Sequence, residues 1–189
     1  GCLDRCDPYG RRMELRPHSA SIICGGGKQK FTDEKWLKTR DGGLDKPLNI
    51  YEIHAGSWRC KPDEEDQKDV AEHWYNYREL ADLLVPYLKE NHYNYVEMMP
   101  LAEHPSDESW GYQISGFFSP TSRYGTPDDL KYLVNKCHNA GIGVIMGRYR
   151  MICLIGGEVW AVHANARIRK ILTMSGVTKI MQIYEEEQV

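Results

Sequence analysis

The sequence predicts an α/β fold built on a parallel sheet. Between residues 48 and 147, short apolar segments and helical segments alternate in the order strand, helix, strand, helix, strand. Short connections from helix to strand favour right-handed crossovers, which leave the strands parallel and next to each other. Spacing alone does not separate a closed barrel from an open, doubly wound sheet.

The three predicted strands are short runs of apolar and aromatic residues. They occupy residues 48–54, 93–99 and 143–146. Gly56 closes the first run and Pro100 ends the second, as expected of residues that interrupt strands.

The first predicted helix covers residues 77–90. Asn76 and Glu79 have the spacing of a capping box. Apolar residues then recur at helical spacing, which predicts an amphipathic helix: Leu80, Leu83, Leu84, Tyr87 and Leu88. Pro86 lies inside this pattern and is expected to kink the helix or loosen its last turn.

The second predicted helix begins after Thr126, an N-cap residue followed by Pro127 at the first helical position. Gly141 is expected to end it. One face carries its apolar residues: Leu130, Leu133, Val134 and Cys137. Cys137 is therefore expected to pack as a small apolar side chain.

The regions on either side lack this regularity. Residues 1–47 are interrupted by glycine clusters and are interpreted as a linker that packs on its neighbours. Within them, residues 32–38 favour a short helix with Thr32 as its cap and Trp36 and Leu37 as its anchors.

Residues 148–189 show no helix caps and no clean periodicity. Residues 151–155 have the composition of a strand, and residues 167–183 have only an irregular helical pattern.

Composition excludes several functional classes. The net charge of −3 gives no basic field for nucleic acid or for a membrane surface. No apolar run reaches the roughly 20 residues that a membrane span needs, so a cytoplasmic location is expected. The six cysteines contain no CxxC pair, which predicts free thiols and no zinc site. No motif for a metal, a phosphate or another cofactor is present, and nothing indicates a particular protein partner.

The loop at residues 103–127 carries the candidate site. Trp110, Tyr112 and Gln113 combine aromatic planes with an amide, which suits the apolar faces and hydroxyls of a sugar. The alternative is an aromatic loop that packs on its own scaffold. His104 and Asp107 are either polar substrate contacts or ordinary loop residues. No pair of carboxylates is assignable as acid and nucleophile, so no catalytic residue is predicted.

Several segments together resemble the glycogen branching enzymes of the α-amylase superfamily. Residues 46–59 resemble the family's first barrel strand, and residues 140–145 resemble its third. Between them, four shorter motifs occur in the family's order: Tyr77–Ala81, Glu103–Pro105, Trp110–Gln113 and Pro120–Pro127.

The resemblance implies a (β/α)8 TIM barrel, of which residues 48–147 hold three strands and two helices. It implies that residues 1–47 contain a linker and the remnant of a β-sandwich domain. It also implies an α-1,4-glucan substrate with Tyr112 lining the subsite for the cleaved glucosyl unit. The family moves a glucan segment to a 6-hydroxyl by a retaining mechanism, which needs a nucleophilic Asp, an acid/base Glu and a stabilising Asp.

The resemblance stops after residue 146. The family motif Asp-Trp-Val-Pro-Ala-His should follow Ile145, but the chain reads Met146-Gly-Arg-Tyr-Arg150. The three catalytic carboxylates lie farther along the family's barrel and have no counterparts here. The sequence therefore predicts an N-terminal fragment that is inactive alone, with a non-native tail at residues 148–189. The alternatives are a non-catalytic glucan-binding fragment and an inert truncated product.

Our hypothesis for this break is a shift of reading frame. With suitable synonymous codons and a shift of one base, the stretch from Ile171 to Thr178 reads Pro-Asp-Tyr-Glu-Trp-Gly-Asn, which resembles family sequence beyond the missing motif. Sequencing the source DNA tests the hypothesis, because it requires a single-base change near codon 147 that restores the frame.

Overall fold

A computed structural model of the chain describes residues 6–7, 9–25, 27–40, 46–62 and 73–146, together with the backbone of residues 160–162 and 182–184. The chain divides into two compact units, Gly1–Asp41 with Pro47–Gly147, and Gly42–Lys46 with Arg148–Val189. The described elements are, in chain order, α1 (Glu34–Thr39), β1 (Ile50–Ile53), α2 (Tyr77–Glu90), β2 (Tyr95–Met98), β3 (Ala102–Glu103), β4 (Gly116–Pro120), α3 (Pro127–Asn139), β5 (Gly143–Met146), β6 (Trp160–Val162) and β7 (Gln182–Tyr184). Among the described residues, no helix has the length and apolar character needed to span a membrane.

The sheet of the first unit is parallel, as predicted. Strand β2 lies in the middle and pairs with β1 on one side and with β5 on the other. Ile53 is opposite Met98 in this register. Side chains alternate along a strand, so Ile53, Val96 and Met98 share one face, where they are buried against the helices.

Helix α2 begins and ends at the predicted residues. The Asn76 side chain accepts hydrogen bonds from the backbone N–H groups of Arg78 and Glu79, and the Glu79 side chain accepts from the N–H of Asn76. The helix continues through Pro86 to Glu90. It buries an apolar stripe that forms much of the core: Tyr77, Leu80, Ala81, Leu84, Val85 and Leu88.

Helix α3 also begins as predicted, with Thr126 as its cap and Pro127 in its first turn. It ends at Asn139, and Gly141 follows with a φ of +79°, a left-handed conformation that favours glycine. Cys137 is a fully buried free thiol on the apolar face. Burial raises its pKa to about 12, which keeps it in the neutral form.

The short helix near the N-terminus differs from the prediction in its cap and in one of its two anchors, Leu37. Asp33, rather than Thr32, is the residue before the helix, and it makes no side-chain cap bond. The backbone N–H of Thr32 instead donates to Asn135 of α3 at 2.7 Å. Trp36 stacks on His138 with ring centroids 5.3 Å apart, whereas Leu37 is 49% exposed.

In the second unit, β6 and β7 pair as parallel strands. The strand predicted at residues 151–155 lies outside the described residues. So does most of the helical pattern predicted at residues 167–183, but its last two residues belong to β7, so the helix prediction is wrong there. A local helical pattern is overridden when a segment finds a strand partner.

Candidate functional site

The candidate loop connects β2 to α3 and has a framework of its own. Strands β3 and β4 pair as a short antiparallel ribbon. Two single-turn 3-10 helices, Asp107–Ser109 and Ser122–Tyr124, lie on either side of β4. A long loop with internal pairing holds its side chains more rigidly than an open one.

Arg123 forms the centre of the loop, with its side chain only 1% exposed. Its guanidinium donates to a Glu103 carboxylate oxygen at 2.9 Å, to Asp107 Oδ1 at 2.7 Å and to the His104 carbonyl at 2.7 Å. Within the described part of the chain, its Nη2 atom is buried without a hydrogen-bond partner. The guanidinium joins the two ends of the loop across about twenty residues.

The Glu103 carboxylate is also fully engaged in hydrogen bonds within the loop. Besides Arg123, its carboxylate accepts from the Thr121 hydroxyl at 3.1 Å and from the backbone N–H of Ser122 at 2.6 Å. Asp107 is bound by a second arginine in addition to Arg123. Arg16 of the N-terminal segment approaches Asp107 with Nη2 2.6 Å from Oδ2.

Burial raises the pKa of Asp107, but hydrogen bonds from Arg16 and Arg123 outweigh it, so the net pKa lies below its usual value. Asp107 is therefore ionised at neutral pH. Its carboxylate oxygens face two guanidinium groups, so it is an anchor of the loop at the same time as a candidate substrate contact.

Trp110 lies across the carboxyl ends of two strands. Its indole stacks on His54, which directly follows β1, with ring centroids 4.6 Å apart and planes 15° apart. The next residue, Gly111, sits against Pro100, which follows β2. A Cβ on Gly111 would overlap the carbonyl oxygen of Pro100, so only glycine permits this approach.

Trp110 adopts a left-handed conformation with a φ of 53°, an uncommon choice for an aromatic residue. Such a conformation persists where surrounding contacts enforce it, and it is found often in ligand sites. It leaves Trp110 46% exposed.

Two histidines lie beside this aromatic surface. Burial lowers the pKa of His54, and the nearby His104 lowers it further. Burial also lowers the pKa of His104, against the opposing hydrogen bond to the Ala102 carbonyl. At neutral pH both rings are neutral. Nδ1 of His104 lies 2.8 Å from the Ala102 carbonyl oxygen, which fixes the proton on Nδ1 in the neutral ring and leaves Nε2 as an acceptor.

Tyr112 and Gln113 follow the stacked tryptophan. The backbone N–H of Tyr112 donates to the Ser109 carbonyl at 2.9 Å, and the residue is 37% exposed. Gln113 is exposed. The structure thus exposes Trp110, Tyr112 and Gln113, whereas Gly111 among them is buried and His104 is buried at 4% exposure.

Packed aromatic rings lie beneath the C-terminal end of the loop. The rings of Trp74 and Tyr77 each meet the Tyr124 ring edge to face, with centroids 5.7 and 5.6 Å away. Burial raises the pKa of Tyr124 to about 12. The Tyr77 hydroxyl donates to the Thr121 carbonyl at 3.1 Å, which joins these rings to the backbone of the loop.

Two of the residues that build this site, His54 and Arg16, are not predicted from the sequence. Neither has a local signal, because each acts through a partner more than 50 positions away in the chain. Among the described residues, no group of three or more His, Cys, Asp or Glu side chains is arranged to hold a metal ion.

Comparison with known proteins confirms the resemblance. Residues 80–148 match the family described as the α-amylase catalytic domain. The 1,4-alpha-glucan branching enzyme GlgB of Nitrosomonas eutropha is 48% identical over 146 residues, which cover 76% of this chain and 19% of that protein. GlgB of Fusobacterium nucleatum is 49% identical over 142 residues, which cover 75% of this chain and 22% of that protein.

A solved structure from Salmonella typhimurium, named as an α-amylase, has a TM-score of 0.58 and 25% identity and covers 75% of this chain and 21% of that one. The chain spans about a fifth of the length of the curated relatives that it matches. The fold prediction is confirmed, and the parallel sheet with its two helices is part of the (β/α)8 barrel.

Proposed function

We propose that the Trp110–Gln113 segment binds an α-1,4-linked glucan and that this chain does not itself transfer one. Similarity to the 1,4-alpha-glucan branching enzymes supports the choice of ligand. The observation that carries the proposal is the stacking of Trp110 on His54 at the carboxyl end of the sheet. That edge is where parallel α/β barrels bind their substrates.

The aromatic surface suits a sugar. One face of the Trp110 indole rests on His54 while 46% of the residue remains exposed, so its outer face is available to the C–H face of a glucose ring. The exposed amide of Gln113 supplies a donor and an acceptor for hydroxyl groups. His104 is only 4% exposed, so we assign it no direct contact with the glucan.

The lack of transfer rests on the carboxylates. Retaining glycosyl transfer needs one carboxylate as nucleophile and a second that donates a proton. In this loop Glu103 and Asp107 are both bound by Arg123, and the pKa of Asp107 lies below its ordinary value, which makes Asp107 a poor proton donor. The sequence also departs from the family at residue 147, where the first catalytic motif is expected.

Binding is tested by isothermal titration of the purified chain with maltoheptaose. We expect the Trp110→Ala and Tyr112→Ala variants to lose about tenfold or more in affinity, because each removes a stacking or lining ring worth about 1–2 kcal/mol. Phe31→Ala is the matched control, since Phe31 is 44% exposed and lies outside the loop. An unmodified chain that shows no affinity for maltoheptaose would overturn the binding proposal and leave an inert product.

Transfer is tested separately with iodine-stained amylose, using a full-length branching enzyme as the positive control. We expect the spectrum of the amylose–iodine complex to remain unchanged in the presence of this chain alone. A blue-shifted spectrum would show that branching occurs and would overturn the second half of the proposal.

A further inference from the structure

A cavity lies between the N-terminal segment, β4 and the start of α3, and none of Trp110, Tyr112 and Gln113 lines it. Its volume is about 820 Å³. Several small and polar residues line it. Two aromatic and four basic residues line it as well: Tyr9, Phe118, Arg11, Arg12, Lys28 and Lys131. This combination of rings and cations is unrelated to the proposed glucan surface.

The two aromatic rings are stacked and exposed. Tyr9 and Phe118 lie with ring centroids 5.7 Å apart and planes 20° apart. Tyr9 is nevertheless 75% exposed and Phe118 is 55% exposed. Apolar rings held together at a cavity wall offer a flat surface for a ring-shaped ligand.

The charge of the cavity is positive. In the described part of the chain, no ion pair involves the side chains of Arg11, Arg12 or Lys28. The lining carboxylate, Asp128, is already engaged, because it pairs with Lys131 at 3.2 Å and accepts from the backbone N–H of Lys28 at 2.7 Å. Four cations against one carboxylate leave a net charge of about +3, which favours a multiply charged anion.

The loop geometry holds Lys28 in place. A Cβ on Gly27 would meet the side-chain ends of Asp128 and Lys131, so this loop passes close to α3. The N–H groups of residues 28 and 29 donate to Asp128, at the first turn of α3. These bonds fix the backbone that carries the Lys28 side chain, and they do not involve a ligand.

We propose that this cavity binds a small organic phosphate. The ring of the ligand packs against Tyr9 and Phe118, and the phosphate is bound by Arg11, Arg12 and Lys28. Guanidinium groups suit a phosphate because their paired N–H donors match its oxygens. A sugar phosphate and a mononucleotide share this chemistry, and the volume of the cavity accommodates either.

The test is isothermal titration of the full chain with glucose 6-phosphate, with AMP and with inorganic phosphate. We expect at least one organic phosphate to bind about tenfold more tightly than inorganic phosphate, since only the organic ligands use the rings. The ligand that binds best distinguishes the two sources. Equal affinities for all three, or no binding of any, would overturn the proposal.

Two variants separate the contributions of charge and ring. Arg12→Ala should reduce the affinity about tenfold or more for every phosphate, whereas Phe118→Ala should reduce it only for the organic ones. Lys89→Ala is the control, because Lys89 is an exposed cation in the last turn of α2. Loss of binding in Lys89→Ala equal to that in Arg12→Ala would indicate non-specific charge attraction and would overturn the site.

A measurement on the unmodified chain avoids any question of misfolded variants. Cys24 is an exposed free thiol that lines the cavity, and Cys60 is an exposed free thiol outside it. The bound organic phosphate should slow alkylation of Cys24 by iodoacetamide, read by peptide mass spectrometry, and leave the rate at Cys60 unchanged. Equal rates at Cys24 with and without saturating ligand would place the ligand elsewhere.

Discussion

Nε of Arg123 donates to Oδ1 of Asp107 at 2.7 Å from a side chain that is 1% exposed. The same carboxylate oxygen also receives Nε of Arg16 at 2.7 Å, so two arginines from distant parts of the chain converge on one acidic residue. The ion pairs of Asp107 with Arg16 and Arg123 therefore hold the candidate loop in place, including the part that presents its exposed aromatic residues.

Removal of the buried guanidinium should destabilise the protein strongly. In Arg123→Met the carboxylate of Glu103 remains buried without its counter-charge, and we expect a loss of about 3–5 kcal/mol in the free energy of unfolding. Urea denaturation measures it. The control is Lys61→Met, which breaks a pair with Glu79 whose side chains are 34% and 41% exposed and should cost under about 1 kcal/mol. Equal losses in the two variants would contradict a buried ionic centre.

The Asp107 carboxylate should give the protein an acid-sensitive stability. Its pKa is below the ordinary 3.8, so its contribution is present above that value and is lost as the pH falls through the lower folded pKa. We expect Asp107→Asn to be less stable than the unmodified chain at about pH 5, with the difference shrinking toward about pH 2.

Chemical denaturation at a series of pH values provides the measurement. Glu108→Gln alters an exposed neighbour and should keep the unmodified pH profile. A difference between Asp107→Asn and the unmodified chain that stays constant across the acid range would argue against the arginine contacts.

Trp110 should control the basicity of His54. Burial is the larger cause of the lowered His54 pKa, and the indole covers one face of the imidazole. In Trp110→Ala we expect the pKa of His54 to rise toward 6.5, because water reaches the charged form. An NMR titration of the histidine resonances measures the shift. In Trp36→Ala, which uncovers His138 instead, the His54 pKa should not change.

The open face of the sheet carries an unfavourable pair. Glu52 and Glu97 are opposite each other on β1 and β2, and like charges placed so are destabilising. Burial raises the pKa of Glu97, and Glu52 raises it further. A raised carboxyl pKa means that stability is highest below the unfolded pKa and is lost as the pH rises through the folded one.

We therefore expect Glu97→Gln to be more stable than the unmodified chain at pH 7 and equal to it at about pH 3. The gain should be under about 1 kcal/mol, because the pair is partly solvated. Thermal melts at the two pH values measure it. Glu90→Gln, at the exposed end of α2, should show no such gain at neutral pH.

The elements that sequence predicted correctly are those whose determinants are local. Asn76 with Glu79 and Thr126 with Pro127 lie within a few residues of the helix that they begin, so their spacing alone sets the start.

The remaining features depend on partners far along the chain. Arg123 joins Glu103 and Asp107 across twenty and sixteen positions, and Arg16 reaches Asp107 across 91. The stack of Trp110 on His54 forms only after the sheet has brought the ends of β1 and β2 together. No periodicity encodes such contacts. The prediction of Thr32 as a cap was wrong for the same reason, because Asn135 of α3 binds the Thr32 backbone.

The order of strands in the sheet has a consequence for biosynthesis. The strands lie in the sheet in the order β1, β2, β5, which is also the order in which they are translated. Each new strand therefore pairs with the strand that was synthesised before it. Helices α2 and α3 lie between successive strands, so every addition requires only the residues just synthesised. The sheet can thus assemble from its first edge outward while the ribosome is still adding residues, with no strand waiting for a partner that has not yet emerged.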